Sequence, residues 1–475
     1  MTSWQLTRVM AGSFILVMLL TMLWLTCATA SAAPISVSDA WHSAMEHDPK
    51  FAAAQAQRDA GRARGAEGRA LWLPTLSATG GVGLSDLDNR TQGAFFSAPG
   101  FGSRNGVDFQ TNVNGATATH WALVAEQPLF DAGRLADSTA QKDSARIAEA
   151  QYRAAEQDLM LRSTRVYFDV LNARAQLQTL VRLRASAQTT RAEAQARYEA
   201  GDIPVTDMRE AEADADNLTV QELDARSAVT LSEAAFSDLT GLEAIDLGVV
   251  PEAATAELPA PDPLASWTRR AIANSPLLAI QQLTVASATA QVNRYNALTS
   301  PRVNLIAQVG RDSLHGNGDF GATDITQRDA SVGIQASVPL FTGGLRSAQR
   351  HEARALEHQA EAELDGTEQA VRQQTRTAWL SLTTAAARVQ ALQHLRASTE
   401  SRRDATRLGA QIGARTALEL LNAEADYQRS GADFQRAQSE WLLARLQLKA
   451  VAGELAAEDL EQIDRRLASD MPQSK

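Results

Sequence analysis

Two stretches of the chain alternate apolar and polar residues with a period of two, and each stretch holds two such segments. They span residues 75–128 and 301–341. Segments of about ten residues with one apolar and one polar face are typical of β-strands that have a lipid-facing and a water-facing side. The alternation therefore predicts two strand pairs. Residues 84–106, inside the first pair, are rich in Gly, Ser and Asn, and we expect them to form a long loop.

Each strand pair is followed by a very long helical pattern. Residues 132–199 contain no proline and no glycine after Gly133, and residues 345–408 contain no proline and one interior glycine. At 1.5 Å per residue, each run predicts a rod on the order of 100 Å. Apolar residues in the first run are spaced by 7, 4, 3, 4 and 3 positions, as in a heptad seam. These residues are Leu159, Val166, Val170, Ala173, Leu177 and Leu180.

Each predicted rod ends at a turn that contains a glycine. A second helical pattern follows the turn and is expected to run back along the first. The turns contain Gly201 and Gly413, and the returning patterns end at Gly241 and Gly453. The sequence therefore predicts two long antiparallel helical hairpins, over 132–241 and 345–453.

The sequence contains an internal repeat. Pro49 and Pro74 recur 227 positions later, and the Pro-Leu-Phe-x-x-Gly motif recurs 211 positions later. We therefore expect two structural repeats, 33–250 and 264–455, joined by a proline-rich linker, 251–263. Residues 456–475 are expected to be a polar C-terminal tail.

The repeated Pro-Leu-Phe motif precedes each rod, as Pro128 to Gly133 and as Pro339 to Gly344. Proline is tolerated where a β-ladder ends, and glycine permits a sharp change of backbone direction. The motif is therefore predicted to mark the strand-to-helix turn of each repeat.

The N terminus has the pattern of a signal peptide over residues 1–32. Arg8 precedes an apolar run, 14–25, and small residues before Ala33 offer a cleavage site. The run is short for a membrane anchor, which is the alternative. Cys27 is the only cysteine and is expected to leave with the signal peptide. The sequence therefore predicts an exported protein without disulfides.

Four strands cannot close a barrel. A sheet in lipid must have no open edge, and single-chain barrels begin at about eight strands. One strand pair alone would favour an ordinary half-buried sheet of a soluble domain. Four matched segments in an exported protein favour a membrane barrel that several copies of the chain complete. The pattern alone does not choose three copies over two or four.

Composition and motifs argue against other kinds of protein. The formal net charge of -11 argues against a nucleic-acid partner, because phosphate binding needs clustered Lys and Arg. His351 and His358 lie on a predicted rod and are expected to be solvated, and we find no metal-ligand motif and no nucleophile–base group. We expect no enzyme activity, no cofactor and no metal.

The order of elements, the strand entries at Pro74 and Pro301, both Pro-Leu-Phe motifs and the doubled hairpin ends resemble the TolC family of outer-membrane efflux proteins over about 34–455. The resemblance implies an α+β membrane protein. Three chains would form a twelve-stranded β-barrel that continues into a twelve-helix α-barrel tunnel. Such a homotrimer would lie in the outer membrane of a Gram-negative bacterium, in contact with its lipid, and extend into the periplasm.

The resemblance also implies partners. The tunnel would meet an inner-membrane transporter, of RND, ABC or MFS type, through a periplasmic adaptor protein, and would carry drugs or secreted proteins. The hairpin-tip turns at Gly201 and Gly413 would contact the adaptor. The cargo stays open.

Residues that have functional roles in the family can be matched to positions at the hairpin tips of this sequence. The resemblance implies a periplasmic gate of Thr206, Asp207 and Arg415, in which Asp207 and Arg415 form a closing pair. Glu419 and Asn422 match the two positions of a constriction ring. The family's gate tyrosine is replaced by Ala410, and Tyr198 has the equivalent place in the first repeat. The alternative for each polar residue is a solvated helix face.

Two other classes of protein have long helices. A periplasmic adaptor-like binding protein should have one hairpin and no strands long enough for lipid, and a soluble coiled-coil scaffold explains neither the strands nor the signal peptide. The doubled pattern argues against both.

Overall fold

The computed structural model describes residues 34–248, 261–296, 301–319 and 321–468. The predicted signal peptide with Cys27, and residues 251–260 of the predicted linker, lie outside these ranges. The described elements, in chain order, are α1 (Val37–His47), α2 (Pro49–Ala70), β1 (Thr75–Ala98), β2 (Gly102–Asp131), α3 (Ala132–Glu199), α4 (Val205–Thr240), α5 (Leu264–Asn274), α6 (Pro276–Asn296), β3 (Arg302–Gly318), β4 (Gly321–Ser337), α7 (Leu345–Gln411), α8 (Ala417–Val451) and α9 (Ala457–Ala468). Across these ranges, no helix has both the length and the apolar character needed to cross a bilayer.

The strands form one antiparallel sheet in the order β1-β2-β3-β4. Thr75 pairs with Glu126 between β1 and β2, and Arg302 pairs with Ser337 between β3 and β4. Within the described ranges β1 and β4 each have a single partner strand, so the sheet has two open edges. Large apolar side chains are exposed on both edge strands. They include Leu76, Val82, Leu84 and Phe95 on β1, and Val332 and Ile334 on β4.

The prediction of a long loop at 84–106 is wrong. β1 continues to Ala98 and β2 begins at Gly102, so only residues 99–101 connect the strands. Backbone hydrogen bonds between β1 and β2 stabilise these strands, although their Gly- and Ser-rich composition does not predict strands. Register shifts between Ser85 and Leu87 and at two later points accommodate the irregular sequence. Residues 84–106 therefore lengthen a β-hairpin.

The two Pro-Leu-Phe motifs have different structures. Pro339 follows the end of β4 at Ser337, as predicted. Pro128 instead lies inside β2, which continues to Asp131, so the prediction that the ladder ends at this proline is wrong. The β1 ladder stops at Glu126, and the β3 ladder has a register shift just after Pro128. A residue without an N–H group is tolerated there for these two reasons.

The glycines of the two motifs also differ. Gly344 has φ 87°, in the left-handed region that glycine adopts readily, and supports the predicted redirection. Gly133 lies in the first turn of α3 with ordinary φ, so the prediction is wrong at this position. Its N–H donates to Asp131 Oδ1 at 2.8 Å, and the Arg134 N–H donates to the same atom at 3.2 Å. Asp131 therefore begins α3 as its N-terminal cap.

The chain divides into two compact units. Unit 1 consists of the described residues within Met1–Ala52, Glu156–Ala271 and Gln374–Lys475, and unit 2 of those within Ala53–Ala155 and Ile272–Gln373. Unit 2 contains the sheet. Its α2 packs closely on α3 through small residues: a Cβ on Gly68 would lie 2.8 Å from Gln141 Cβ, and Ser138 Oγ donates to the Gly68 carbonyl at 2.6 Å.

Unit 1 has an aromatic core around Tyr167, which is fully buried and contacts the rings of Phe168 and Phe236. The Tyr167 hydroxyl donates to the Ile35 carbonyl at 2.9 Å and accepts from the Gly248 N–H at 2.8 Å. Burial raises the pKa of Tyr167 far above its ordinary range. The predicted heptad seam is buried at Leu159, Val170 and Leu180 and half-buried at its other three positions.

Residues 457–468 do not form a polar tail, and that prediction is wrong for them. They form α9, whose Leu460, Ile463 and Leu467 are buried in unit 1. The carboxylate of Asp464 accepts from the Val37 N–H at 2.8 Å and the Ser38 N–H at 3.2 Å, so α9 caps α1.

Candidate functional site

The predicted gate, ring and adaptor-contact residues lie at the tips of the two helical hairpins, and both tips belong to unit 1. α3 and α7 end in the same motif. Gly201 has φ 79° and Gly413 has φ 76°. In each turn the glycine N–H donates to the carbonyl three residues back and the next N–H to the carbonyl five residues back, at 2.8–3.1 Å. This is the Schellman motif, which satisfies the last carbonyls of a helix. The two predicted tip glycines therefore have the same role in the two hairpins.

A small cluster of apolar side chains lies along the helices that lead to the tips. It combines side chains of α3, α4 and α8, and Leu177 and Leu418 pack against it. Its buried members are Leu180, Leu183, Ala187, Ala215, Leu218, Ala225, Leu421 and Ala425. Arg191 adds a charged tie from α3 to α4, with Nη2 3.0 Å from Glu212 Oε1. The cluster fixes α3, α4 and α8 against each other just before the chain turns.

The second tip has a compact polar arrangement around Glu419. Thr416 is the N-cap of α8 and forms a capping box with Glu419, whose carboxylate accepts from the Thr416 N–H at 2.8 Å. Arg415 Nη1 donates to Glu419 Oε1, also at 2.8 Å. The Thr416 backbone hydrogen bond and then Arg415 lower the pKa of Glu419. Glu419 is therefore ionised at neutral pH and ordered by its own helix start.

The first tip carries the other predicted gate residues. Thr206 and Asp207 are exposed in the first turn of α4. Thr206 Oγ1 donates to Asp207 Oδ1 at 3.2 Å. Among the described residues no ion pair joins Asp207 to Arg415, because Arg415 pairs with Glu419. The protomer does not bring together the predicted closing pair.

Glu419 and Asn422 are three residues apart on α8, and both are exposed. Positions three apart share one helix face. Leu421, two residues after Glu419 and therefore on the other side of the helix from it, belongs to the apolar cluster. Glu419 is therefore turned away from the hairpin core, and Asn422 is exposed at the border of the packed face.

Gly409 is a site residue that sequence reasoning missed. A Cβ at this position would lie 2.7 Å from Arg415 Cγ, so the absence of a side chain lets the Arg415 stem lie against the end of α7. The Arg415 N–H also donates to the Gly409 carbonyl at 3.2 Å. An isolated glycine in a helical pattern, next to Ala410, was the available signal.

Glu222 on α4 was also missed. Only 2% of its side chain is exposed. Its carboxylate lies 2.6 Å from Arg226 Nη2 and 2.9 Å from Arg184 Nε on α3. The Arg184 contact is a charge contact without the alignment of a hydrogen bond. The ion pairs of Glu222 therefore connect α3 and α4, the two helices of the first hairpin, through a buried charge.

No group of three His, Cys, Asp or Glu residues within the described ranges is arranged to hold a metal ion. The polar residues of the tips pair with one another or face solvent. They have the chemistry of ion pairs and of a charged surface, and the described tips contain no nucleophile activated by a base.

Comparisons with known proteins agree on one family. The family model described as "Outer membrane efflux protein" matches residues 40–242 and 267–454. Alkaline protease secretion protein AprF of Pseudomonas aeruginosa is 28% identical over 431 residues, which cover 90% of this chain and 86% of AprF. Proteases secretion protein PrtF of Dickeya chrysanthemi is 28% identical over 454 residues, covering 92% of each chain.

A solved structure has the same fold. The crystal structure of the outer membrane protein VceC from Vibrio cholerae matches with a TM-score of 0.68, covering 88% of this chain and 96% of VceC. The sequence identity is 18%. At that identity the likeness concerns the fold.

Proposed function

The chain belongs to the outer membrane efflux protein family, and we propose that three copies of it form a channel whose twelve-stranded barrel continues into a tunnel of twelve helices. As a member of this family it is an outer-membrane export channel of a Gram-negative bacterium. TolC-like channels are homotrimers that work with adaptor proteins and inner-membrane transporters. The periplasmic adaptor alternative is set aside, because the chain has two helical hairpins and a four-stranded sheet.

The observation that carries the trimer proposal is the pair of open sheet edges. β1 and β4 expose backbone hydrogen-bonding groups together with apolar side chains such as Leu84 and Ile334. In a bilayer no water satisfies such an edge, so β1 of one copy would pair with β4 of the next. Three copies of four strands give a barrel within the size range of outer-membrane proteins.

Cysteine cross-linking tests this arrangement. We would combine Thr79→Cys in β1 with Ser331→Cys in β4 and treat outer membranes with a short flexible bismaleimide, which tolerates a slip in register. The double variant should give covalent trimers, whereas each single variant can link two chains at most. A covalent ladder that stops at dimers or continues to tetramers, or a monomer in detergent, would contradict the proposal.

We further propose that the cargo is a secreted protein and that the transporter is of the ABC type, as in type I secretion. Support comes from the names of AprF and PrtF, two protease secretion proteins that match over at least 90% of this chain. Export of a protease by a matching transporter and adaptor, in a host without its own channel, should require this chain. Rescue of drug resistance without rescue of protease export would favour an efflux pump instead.

The hairpin tips are the proposed gate and docking site. Thr206, Asp207 and Arg415 would hold the tunnel closed when the tips of neighbouring hairpins meet, with Arg415 shared between Asp207 and Glu419. Glu419 would place one carboxylate per chain at the constriction, and Asn422 would add a neutral polar group. A ring of this kind favours cations.

The turns at Gly201 and Gly413 are the proposed adaptor contacts. Apolar side chains flank the second turn, where Leu408 and Ile412 are exposed. Exposed apolar residues at a tip suit a docking surface for another helical protein.

A further inference from the structure

The apolar face of the sheet in unit 2 ends at a pair of arginines. Every second residue of β3 belongs to this face, which includes Leu305, Ala307 and Val309. Their ladder partners on β4 are Ile334, Val332 and Ala330. The next position of the same face is Arg311 on β3, and its partner is Arg328 on β4. Both arginines are exposed.

Arg311 and Arg328 are like charges directly opposite each other. Residues paired in this way have Cβ atoms about 5 Å apart, and two positive charges at such positions repel. Within the described ranges neither guanidinium group forms an ion pair. Arg311 Nε donates to the neutral hydroxyl of Ser313, at 3.2 Å. The repulsion between the two arginines is therefore not relieved by an acidic side chain of the described protomer.

The carboxylates nearest in sequence lie on the other face of the sheet. Asp312 follows Arg311 and Asp329 follows Arg328, and successive side chains of a strand point to opposite faces. Asp329 Oδ2 accepts from Gln308 Nε2, a polar residue of its own face, at 3.2 Å. Each strand therefore carries its arginine on the apolar face and its aspartate on the polar face. An anion that binds both arginines has to come from outside the protomer.

The position of the pair along β3 corresponds to one border of a membrane-spanning band. β3 begins at Arg302, and Arg311 lies nine positions further. At about 3.4 Å per residue and a strand tilt of about 40°, nine positions rise by roughly 23 Å. The apolar band of an outer-membrane barrel is about 25 Å tall. If the helix end of the sheet lies at the periplasmic border, the arginine pair lies at the outer border.

An aromatic side chain lies in the same row as the two arginines. Trp121 on β2 pairs with Arg311 on one side and with Gly80 of β1 on the other. Trp121 is 47% exposed, and Gly80 has no side chain that could cover it. Tryptophan is enriched at both borders of membrane proteins, where its ring lies at headgroup depth. The row therefore combines the two kinds of side chain that contact anionic lipid headgroups.

We propose that Arg311 and Arg328 bind a phosphate group of the phosphorylated glycolipid in the outer leaflet of the outer membrane. The acyl chains of this lipid would lie along the exposed Val309 and Val332, with Trp121 beside the headgroup. A guanidinium group binds phosphate through paired N–H donors, so a phosphate between two of them replaces a repulsion by two attractions. Free phosphate offers the same anion but no chains to cover the apolar neighbours.

The glycolipid site rests on the proposed function, because the apolar face meets lipid only when the sheet is part of a barrel in the membrane. Arginines on the lipid side of a barrel are costly at the middle of the bilayer and cost little near its borders. The pair is therefore compatible with insertion at the depth that the strand length gives.

The test measures lipid binding to the detergent-purified protein by native mass spectrometry. Wild type should prefer lipid A with both phosphates over the same lipid after removal of its phosphates. Each arginine at a membrane surface strengthens the binding of anionic lipid about fivefold, so the double variant Arg311→Gln, Arg328→Gln should bind the phosphorylated lipid roughly 25-fold more weakly. Binding of the dephosphorylated lipid should change little. Each single variant should lose about fivefold, and these variants carry the test if the double variant does not insert.

Arg90→Gln is the matched control. Arg90 is also an arginine of the sheet, ten positions further along β1 than Gly80, and it donates to Gln110 Oε1 at 3.0 Å. Its loss should leave lipid binding as in wild type. Equal binding of the two lipids by wild type, no loss in the arginine variants, or an equal loss in Arg90→Gln would overturn the proposal. Displacement of the lipid by an equal concentration of inorganic phosphate would overturn it as well.

Failure of the proposed function gives a different result. Outer-membrane insertion and conductance are measured on the same preparations. Wild type without conductance would contradict the channel, whereas a normal channel that binds both lipids equally would contradict only the glycolipid site.

Discussion

Arg415 Nη1 lies 2.8 Å from Glu419 Oε1, one turn further along the start of α8. The arginine that the sequence places at the gate is therefore held by its own hairpin before any neighbouring chain is present. This local pair, together with the Thr416 capping box, gives the second tip a defined shape that a closing contact can use.

We expect Arg415→Ala and Asp207→Ala each to increase the conductance of the channel in planar bilayers. Loss of an exposed ion pair worth up to about 1 kcal/mol shifts a closed–open equilibrium by up to roughly fivefold. Arg372→Ala is the matched control, because Arg372 forms a similar exposed pair with Glu368 in α7, in unit 2. An increase in Arg415→Ala without any in Asp207→Ala would mean that Arg415 acts through Glu419 alone.

Gly409→Ala should reproduce the effect of Arg415→Ala while all charges are kept. The new methyl group would occupy the position of the Arg415 stem and move the guanidinium away from the tip. Gly366→Ala in the same helix is the control, since a Cβ there meets no atom within 4 Å and alanine favours the helix by about 1 kcal/mol. Normal conductance in Gly409→Ala would show that the position of Arg415 does not matter.

The second tip should keep its structure from neutral pH down to about pH 5. The pKa of Glu419 is lowered from its ordinary 4.5, so its ionised form stabilises the folded tip above the unfolded-state pKa. That contribution is lost as the pH falls through the still lower folded-state pKa. Hydrogen exchange of residues 417–420, corrected for the intrinsic pH dependence, measures the loss. Glu419→Gln should exchange faster at neutral pH and lack the acid transition, and an identical profile in both proteins would refute the assignment.

Asp464→Ala should destabilise unit 1 by about 1 kcal/mol, because two N–H groups at the start of α1 lose their acceptor. The free energy of unfolding in denaturant, with the protein in detergent, measures the effect. Glu461→Ala is the control, since its local contact with Arg465 at 3.3 Å is exposed and should matter by less than about 0.5 kcal/mol. Equal effects of the two substitutions would contradict the capping role.

The long helices could be predicted from the sequence because their signals are local. The exclusion of proline and the glycine at each turn place α3 and α7 to within a few residues, and Gly201 and Gly413 have matching turns as expected. The strands of the first hairpin were underestimated, because a Gly- and Ser-rich strand is stabilised by its ladder partner and has little signal of its own. α9 did have a signal: Leu460, Ile463 and Leu467 lie at helical spacing.

The residues of the proposed site were taken from the resemblance to the family, and their pairing could not be predicted in the same way. Thr206, Asp207, Arg415, Glu419 and Asn422 are all exposed at the tips or on α8 near them. The sequence analysis pairs Arg415 with Asp207, and only the geometry of the turn shows that Arg415 contacts Glu419 within the described protomer.

The bond between Asp464 and the start of α1 joins residues 427 positions apart. A chain that crosses the inner membrane from its N terminus delivers Val37 early and Asp464 near the end. The capping contact of α1 can therefore form only after nearly the whole polypeptide has crossed the membrane. We therefore expect the docking of α1 on α9 to be one of the last steps in the folding of the protomer.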